Sequence, residues 1–148
     1  MPLSPEDRES VVDLYARHTW AFDTGDIDTF VATFAPDAVL DLAKRHEGQA
    51  AIRAFAELAM QRDPWLPRSQ HIVSQMVIEG EGERATVRAY VTRTHRLPGR
   101  NRNNCMLVWS GYTTDAVVKQ HGAWVFQEKV TRAWEGAVVE KLLKARAK

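Results

Sequence analysis

SQHIVSQMVIEGEGERATVRAYVTRTHR, residues 69–96, decides how the chain is read. Two stretches rich in β-branched and aromatic residues, 69–79 and 84–96, flank Gly80-Glu81-Gly82, whose composition is that of a turn. Together they predict two hairpin-joined strands. Towards the C-terminus the same pattern recurs at 104–119 and 124–134, with Pro98-Gly99 and Asn101, then His121-Gly122, as the intervening turns. The tail at 136–148, GAVVEKLLKARAK, reads as a short amphipathic C-terminal helix with a basic end. Towards the N-terminus the period changes. Ser4-Pro5-Glu6-Asp7 is a helix start, with a capping hydroxyl, a proline at the first helical position and acids near the positive end of the dipole. Val11, Leu14, Tyr15, His18, Ala21 and Phe22 then recur at helical spacing to about residue 22. Gly25 ends this helix and Asp26 caps a short second one, Ile27 to Phe34, which stops at Ala35-Pro36-Asp37. Residues 38–43 read as a strand, and Gly48 to about Arg62 as a helix carrying Ile52, Phe55, Leu58 and Ala59 on one side. Helices followed by a run of hairpin-joined strands predict an α+β fold, with N-terminal helices on one face of an antiparallel sheet. A strongly curved sheet covered in this way makes a cone whose apolar interior suits a small ligand.

The 148 residues fit one domain, 1–148, without repeats or a linker. A hydrophobic content of 45%, a charged content of 26% and a net charge of +1 are ordinary for a soluble protein, and give no electrostatic reason to bind nucleic acid or an anionic membrane. Cys105 is the one cysteine, so there is no intrachain disulfide framework and no CxxC motif, which suits a reducing cytoplasm. No apolar run approaches the roughly 18 residues of a membrane span, and acids stand where a signal peptide needs a basic start. A cytoplasmic location is expected. No GxGxxG follows a strand, no Walker loop or HExxH is present, and histidines 18, 46, 71, 95 and 121 lack HxH or HxxxH spacing. Neither a metal nor an organic cofactor is expected.

On a strand, His71, Val73, Gln75 and Val77 share one face and Ile72, Ser74, Met76 and Ile78 the other. A histidine titrating near neutrality is the natural general base, and polar Gln75 beside it argues against an ordinary apolar core, though a structural histidine fits the same pattern. Asp23 lies at the C-terminal end of the first helix, where a carboxylate opposes the macrodipole and needs another reason to be present. It is either an Asx-turn residue or the partner that orients His71 and stabilises its imidazolium. His18 stands five residues earlier, about 140° away around an ideal helix, so spacing alone does not put both on one face. It is a proton donor or a satisfied core histidine. Lys129 shares a strand face with Gln127 and Thr131, opposite Phe126, Glu128 and Val130; it is a pocket cation needing a partner, or a solvated lysine. Tyr15, Trp20, Phe55, Tyr90, Trp109, Tyr112 and Trp134 are candidate pocket walls, and Trp65, in the Asp63–Pro67 loop, is a lid or an exposed anchor. Arg93, Arg96, Arg100 and Arg102, with His95, cluster around a hairpin and read as a solvated tip, with an acidic-ligand site as the alternative.

Five segments in order, LYARHTWAFDTGDIDTF (14–30), FAPDAVLDL (34–42), EGQAAIRAF (47–55), the stretch from Ser69 to Val91, and SGYTTDAVVKQHGAWVF (110–126), resemble the SnoaL-like family of the NTF2-like superfamily. That family is similar in fold to scytalone dehydratase, ketosteroid isomerase and hexachlorocyclohexane dehydrochlorinase. The resemblance implies a cone-shaped NTF2-like fold, with His71 matching the base of the dehydratase and dehydrochlorinase relatives and Asp23 the aspartate behind it. It also sets Lys129 where a cation assists a departing anion. His18 departs from the family, whose members often carry Tyr or Lys there. The function implied is a cofactor-independent lyase of the dehydratase or elimination type, acting on a hydrophobic cyclic or aromatic small molecule. An isomerase, an aldol-type cyclase or a retro-aldol C–C lyase would use the same pocket. A non-catalytic ligand-binding or oligomerisation domain, such as the small subunit of a ring-hydroxylating dioxygenase, is the reading of a different class. A homodimer through the outer sheet face is implied by the resemblance alone.

Overall fold

Ser4 opens the first helix as the sequence predicts: its hydroxyl oxygen accepts the Asp7 amide at 3.0 Å, and α1 runs from Pro5 to Thr24. The computed structural model describes residues 1–99, 103–136, 140–141 and 144–145. Gly25 closes α1 with φ 75°, a left-handed conformation that costs glycine nothing. Asp26 then caps α2 (Ile27–Ala32) through the Thr29 amide at 3.1 Å. This helix ends two residues earlier than expected, because the Thr33 hydroxyl and amide both turn back onto the Phe30 carbonyl. The chain leaves directly into β1 (Phe34–Asp41), which starts four residues ahead of the strand expected at 38–43. Pro36 lies inside it, tolerated where the ladder is irregular between Phe34 and Val39, so its missing N–H breaks no regular pairing.

A short β2 (Arg45–Glu47), not anticipated, folds back on β1 and leads into α3 (Gly48–Arg62) at the expected bounds. A 3-10 turn at Leu66–Arg68 then delivers four long strands: β3 (Ser69–Glu81), β4 (Arg84–Arg96), β5 (Cys105–Gln120) and β6 (Ala123–Ala133). Each lies within two residues of its predicted span. The strand order is β2-β1-β6-β5-β4-β3. The sheet expected to be antiparallel throughout and strongly curved is instead mixed, open and not strongly curled. Its one parallel pair joins β1 to β6, two strands that no hairpin connects, so the turn-based reading had no hold on their direction. The expected C-terminal helix at 136–148 falls mostly outside the described residues. Among the described residues no helix is long and apolar enough to cross a membrane.

Helices α1, α2 and α3 cover one face, α3 against β1 and α1 against β3 and β6. Beneath them Val11, Leu14, Phe34, Ile52, Val87, Val117 and Phe126 are fully buried. In β4 the alternation is regular, with Ala85, Val87, Ala89 and Val91 inside. Elsewhere bulges reset it. The β3–β4 register shifts between Ser74 and Val77, with Gln75 at φ 53°. One extra residue moves everything beyond it to the other face. His71 and Val73 therefore point inward, but Met76 and Ile78 take over the inner face while Gln75 and Val77 face out. A second shift, at Ala116–Val117 against Phe126–Glu128, brings Phe126 and Lys129 inward together, where simple alternation had set them on opposite faces.

Candidate active site

Between the helices and the inner sheet face lies a cavity of about 780 Å³, lined mainly by apolar and aromatic side chains. Several polar groupings break that lining.

The first is His71 with Asp23. His71 sits on β3, an edge strand, so its amide has no ladder partner on the free side. Asp23 supplies one: Oδ2 accepts that amide at 2.8 Å while Oδ1 meets the imidazole Nδ1 at 2.5 Å. A two-point clamp on a strand edge is the reason a carboxylate persists at the wrong end of a helix dipole. Facing a carboxylate, Nδ1 carries the hydrogen, which leaves the Nε2 lone pair for the cavity. Phe22 packs edge-on against the ring at 5.6 Å and holds its plane.

His18 lies deeper, among Phe30, Phe34 and Phe126 at 4.8–5.4 Å. Its Nδ1 is 3.0 Å from Thr33 Oγ1, whose single hydrogen goes to the Phe30 carbonyl at 2.6 Å. Thr33 can then only accept, so His18 Nδ1 donates and Nε2 holds a lone pair. Burial, followed by the charges of Lys129 and His71, pushes the His18 pKa well below its ordinary value. A neutral ring with that tautomer accepts hydrogen bonds from a ligand, which disagrees with the expected proton-donor role. Both histidines line the cavity, although their carriers on α1 do not share a helix face: His18 reaches inward itself, whereas Asp23 acts through β3.

Lys129 is buried, not solvated. Its ammonium pairs with Asp115 Oδ2 at 3.0 Å and lies 4.8 and 4.7 Å from the Tyr15 and Phe126 ring centres. Asp115 also accepts the Tyr15 hydroxyl at 2.5 Å, the Thr113 hydroxyl and the Val130 amide at 3.0 Å. Four donors saturate its two oxygens, so it is a counter-ion and has nothing left to offer as a base. Burial and then the Asp115 charge push the Tyr15 pKa upward, which keeps it a phenol. Tyr15 thus braces this network below the cavity floor and is no wall of it. Asp115 and Thr113 were missed, although a signal existed: in β5 they share the inward face with Val117, and a carboxylate there requires buried donors.

A further grouping is at the rim. Arg93, expected at a solvated hairpin tip, lies opposite His71 on the ladder and lines the cavity. It donates to Asp63 Oδ2 at 2.6 Å and to Ser69 Oγ at 3.0 and 3.2 Å. Burial raises the Asp63 pKa, but hydrogen bonds from Arg93 and the Trp65 amide outweigh it and hold the carboxyl below its usual range. Trp65 stacks on His95 at 5.3 Å, with planes 6° apart; it buttresses the rim instead of closing the cavity. Arg96 ends β4, while Arg100 and Arg102 lie outside the described residues.

Of the predicted walls, Phe55 and Trp109 line the cavity. Trp109 lies over Gly111, where a Cβ would stand 2.2 Å from the indole. Trp20 is 73% exposed, away from the site. Tyr90, Tyr112 and Trp134 form their own cluster on the opposite sheet face, with ring centres 5.4 and 5.9 Å apart, because Ala89, Val91, Gly111 and Ala133 occupy the inward positions beside them. Gln75 is turned out by the bulge. Among the described residues no three His, Cys, Asp or Glu side chains group to hold a metal ion.

Residues 4–130 match the family model described as a SnoaL-like domain. Among curated proteins, no sequence matches the chain. Among solved structures, a Nostoc punctiforme protein of unknown function with a cystatin-like fold is 23% identical, with a TM-score of 0.80 over 92% of this chain and 97% of that one. Aln2 from a Streptomyces species is 23% identical, with a TM-score of 0.78 over the whole of both chains. A candidate scytalone dehydratase from Novosphingobium aromaticivorans is 19% identical, with a TM-score of 0.73 over 87% of this chain and 85% of that one. At such identities the likeness speaks for the fold, which is the α+β NTF2-like one that a further Novosphingobium aromaticivorans structure also carries. Taken with the match that spans most of its length, this chain belongs to the SnoaL-like domain family.

Proposed function

We propose that this protein is a cofactor-independent lyase of the elimination type, acting on a hydrophobic cyclic or aromatic molecule held in the cavity. The observation that carries the reading is the 2.5 Å contact between His71 Nδ1 and Asp23 Oδ1, with the imidazole lining an apolar cavity. His71 Nε2 removes a proton from a ligand carbon, and Asp23 stabilises the imidazolium that results. The electron pair left behind forms the new C=C bond as the neighbouring C–O or C–halogen bond breaks. The anion departs towards the Lys129 ammonium, or as hydroxide it takes the proton back from His71 and leaves as water. His18, as a neutral acceptor, orients a ligand hydroxyl. Low dielectric around these groups strengthens each interaction. Likeness in fold to a candidate scytalone dehydratase supports the reaction class by analogy only. An isomerase or aldol-type enzyme would share the proton abstraction and differ in product.

The test is turnover of a panel of cyclic β-hydroxy ketones and aryl alcohols, followed by product mass. His71→Ala and Asp23→Asn are expected to lower kcat/KM by about 10²–10⁴-fold. Folding stability is expected to stay within about 1 kcal/mol. Full activity in either variant would end the dyad reading.

A further inference from the structure

Residues 63–68 link α3 to β3 along the cavity rim, and Leu66 among them is buried and lines the cavity. A single 3-10 turn is the only regular structure in this segment, so side chains must tie it down. The Asp63 carboxylate accepts the Trp65 amide at 2.9 Å on one oxygen and Arg93 at 2.6 Å on the other. Ser69 Oγ donates to the Trp65 carbonyl at 2.8 Å. The Trp65 indole is held by its stack on the His95 ring. In that ring Nε2 is buried, with no hydrogen-bond partner among the described residues. Buried polar atoms are satisfied in the great majority of cases, so this orphan calls for a reason.

A proton changes what the nitrogen needs. In the neutral ring the orphan forgoes one hydrogen bond. In the imidazolium it becomes a charged N–H sealed from water and without an acceptor, and the penalty grows. No neighbour has an acceptor to spare. Asp63 is the carboxylate that bears on the ring, but both of its oxygens are engaged. Ser69, opposite on β3, donates to Trp65 and accepts Arg93 twice. Arg93 on the same strand and His71 on β3 add positive charge, and from β5 the opposed residue is the uncharged Met106. An indole attracts a cation stacked on it, but that gain is smaller than the penalty of a charged donor left unpaired. Burial first, and then Arg93, therefore hold the His95 pKa below its ordinary 6.5. Water is the acceptor that remains, and it reaches Nε2 only when the indole moves.

We propose that residues 63–68 are a strap over the cavity rim, and that protonation of His95 releases it, carrying Trp65 and Leu66 away from the sheet and opening the cavity to solvent. The device does not depend on what the cavity binds or on which reaction it performs. Once the strap is open, His95 regains an ordinary pKa, so opening takes up a proton. The strap stays shut above about pH 6.5, and its opening constant rises by at most about tenfold per pH unit below that. Asp63, held below the usual carboxylate range, stays ionised and takes no part in the switch.

The test is backbone hydrogen exchange in the full chain at pH 7.5 and 5.5, read by mass spectrometry on peptides covering 63–69 and corrected for the intrinsic effect of pH. Protection there is expected to fall by about three- to tenfold in the wild type. His95→Phe keeps a ring for Trp65 and cannot charge, so its protection should hold constant, while His71→Gln should show the wild-type fall. The strap is overturned by equal wild-type protection at both values, by the same fall in His95→Phe, or by loss of the fall in His71→Gln, which would make His71 the trigger. If His95→Phe does not fold, the wild type alone decides. Its His95 ring, followed by NMR, must titrate below pH 6.5, and the rise in exchange must level off at that midpoint. A ring that titrates at or above 6.5 overturns the proposal.

Discussion

Two of the carboxylate–base pairs that frame this cavity, Asp115–Lys129 and Asp23–His71, are built to opposite ends. Asp115 and Lys129 lie on adjacent strands, with side chains 0% and 9% exposed, and every lone pair of the acid is engaged. Asp23 and His71 join a helix end to a sheet edge, with side chains 13% and 25% exposed and Nε2 left open. The buried pair exchanges a large desolvation cost for a fixed geometry; neither partner can change its charge without leaving the other stranded. The Asp23–His71 pair is partly exposed and keeps one imidazole nitrogen free of protein partners. A saturated ion pair thus lies at one end and an imidazole with an open nitrogen at the other.

Removing Asp115 breaks that comparison most directly. Asp115→Ala strands the Lys129 ammonium and two hydroxyl donors, and is expected to cost about 3–5 kcal/mol in urea unfolding. The double variant Asp115→Leu/Lys129→Met should recover most of the loss, since an apolar pair of similar volume leaves no charge unpaired. If Asp115→Ala unfolds at the wild-type midpoint, the network carries no structural weight. At the Asp23–His71 pair the order reverses, with Asp23→Asn expected to cost the 10²–10⁴-fold in turnover stated above and about 1 kcal/mol or less in stability. Comparable stability losses at both ends would erase the distinction. Gly111→Ala sharpens it from the cavity side. Its Cβ would collide with the Trp109 indole and the Arg132 carbonyl, each 2.2 Å away, so ligand affinity and about 1–3 kcal/mol of stability are expected to fall together. A variant that binds ligand normally would show that the indole has room to move.

The legibility of these two ends in the sequence differs for physical reasons. Element types and most boundaries follow from periodicity and turn chemistry, and β4 alternates without interruption. The dyad was readable because a histidine and an aspartate stand at the positions the family resemblance marks, and each had an awkward feature that called for a partner. What periodicity cannot register is one added residue. The bulge after Ser74 turned Gln75 outward, and the one near Phe126 carried Lys129 into the core. Charge near a hairpin looks like solvation, yet Arg93 lies three residues inside the end of β4, where the ladder sets it opposite His71. Asp115 meets its cation across two strands, a partnership that no spacing along the chain registers.

His18 sits between the two ends and gives the smallest, most local effect. Its ring is neutral because burial disfavours a charge there and because Lys129 and His71 already supply positive potential nearby. The folded pKa lies below the unfolded value of 6.5, so the unfolded chain takes up this proton first as pH falls. Stability from His18 is therefore present in full above about pH 6.5 and is lost progressively below it, at no more than about 1.4 kcal/mol per pH unit for one proton. His46 and His95 are also held below their ordinary values and contribute with the same sign. His18→Gln can still meet Thr33 but does not titrate, so urea unfolding at pH 7.5 and 5.5 should show a shallower loss than in the wild type, with the remainder left to the other two. An identical loss in both proteins would mean that the ring between the two ends takes a proton as readily in the fold as out of it, and that the deep end of the cavity is far wetter than its aromatic lining implies.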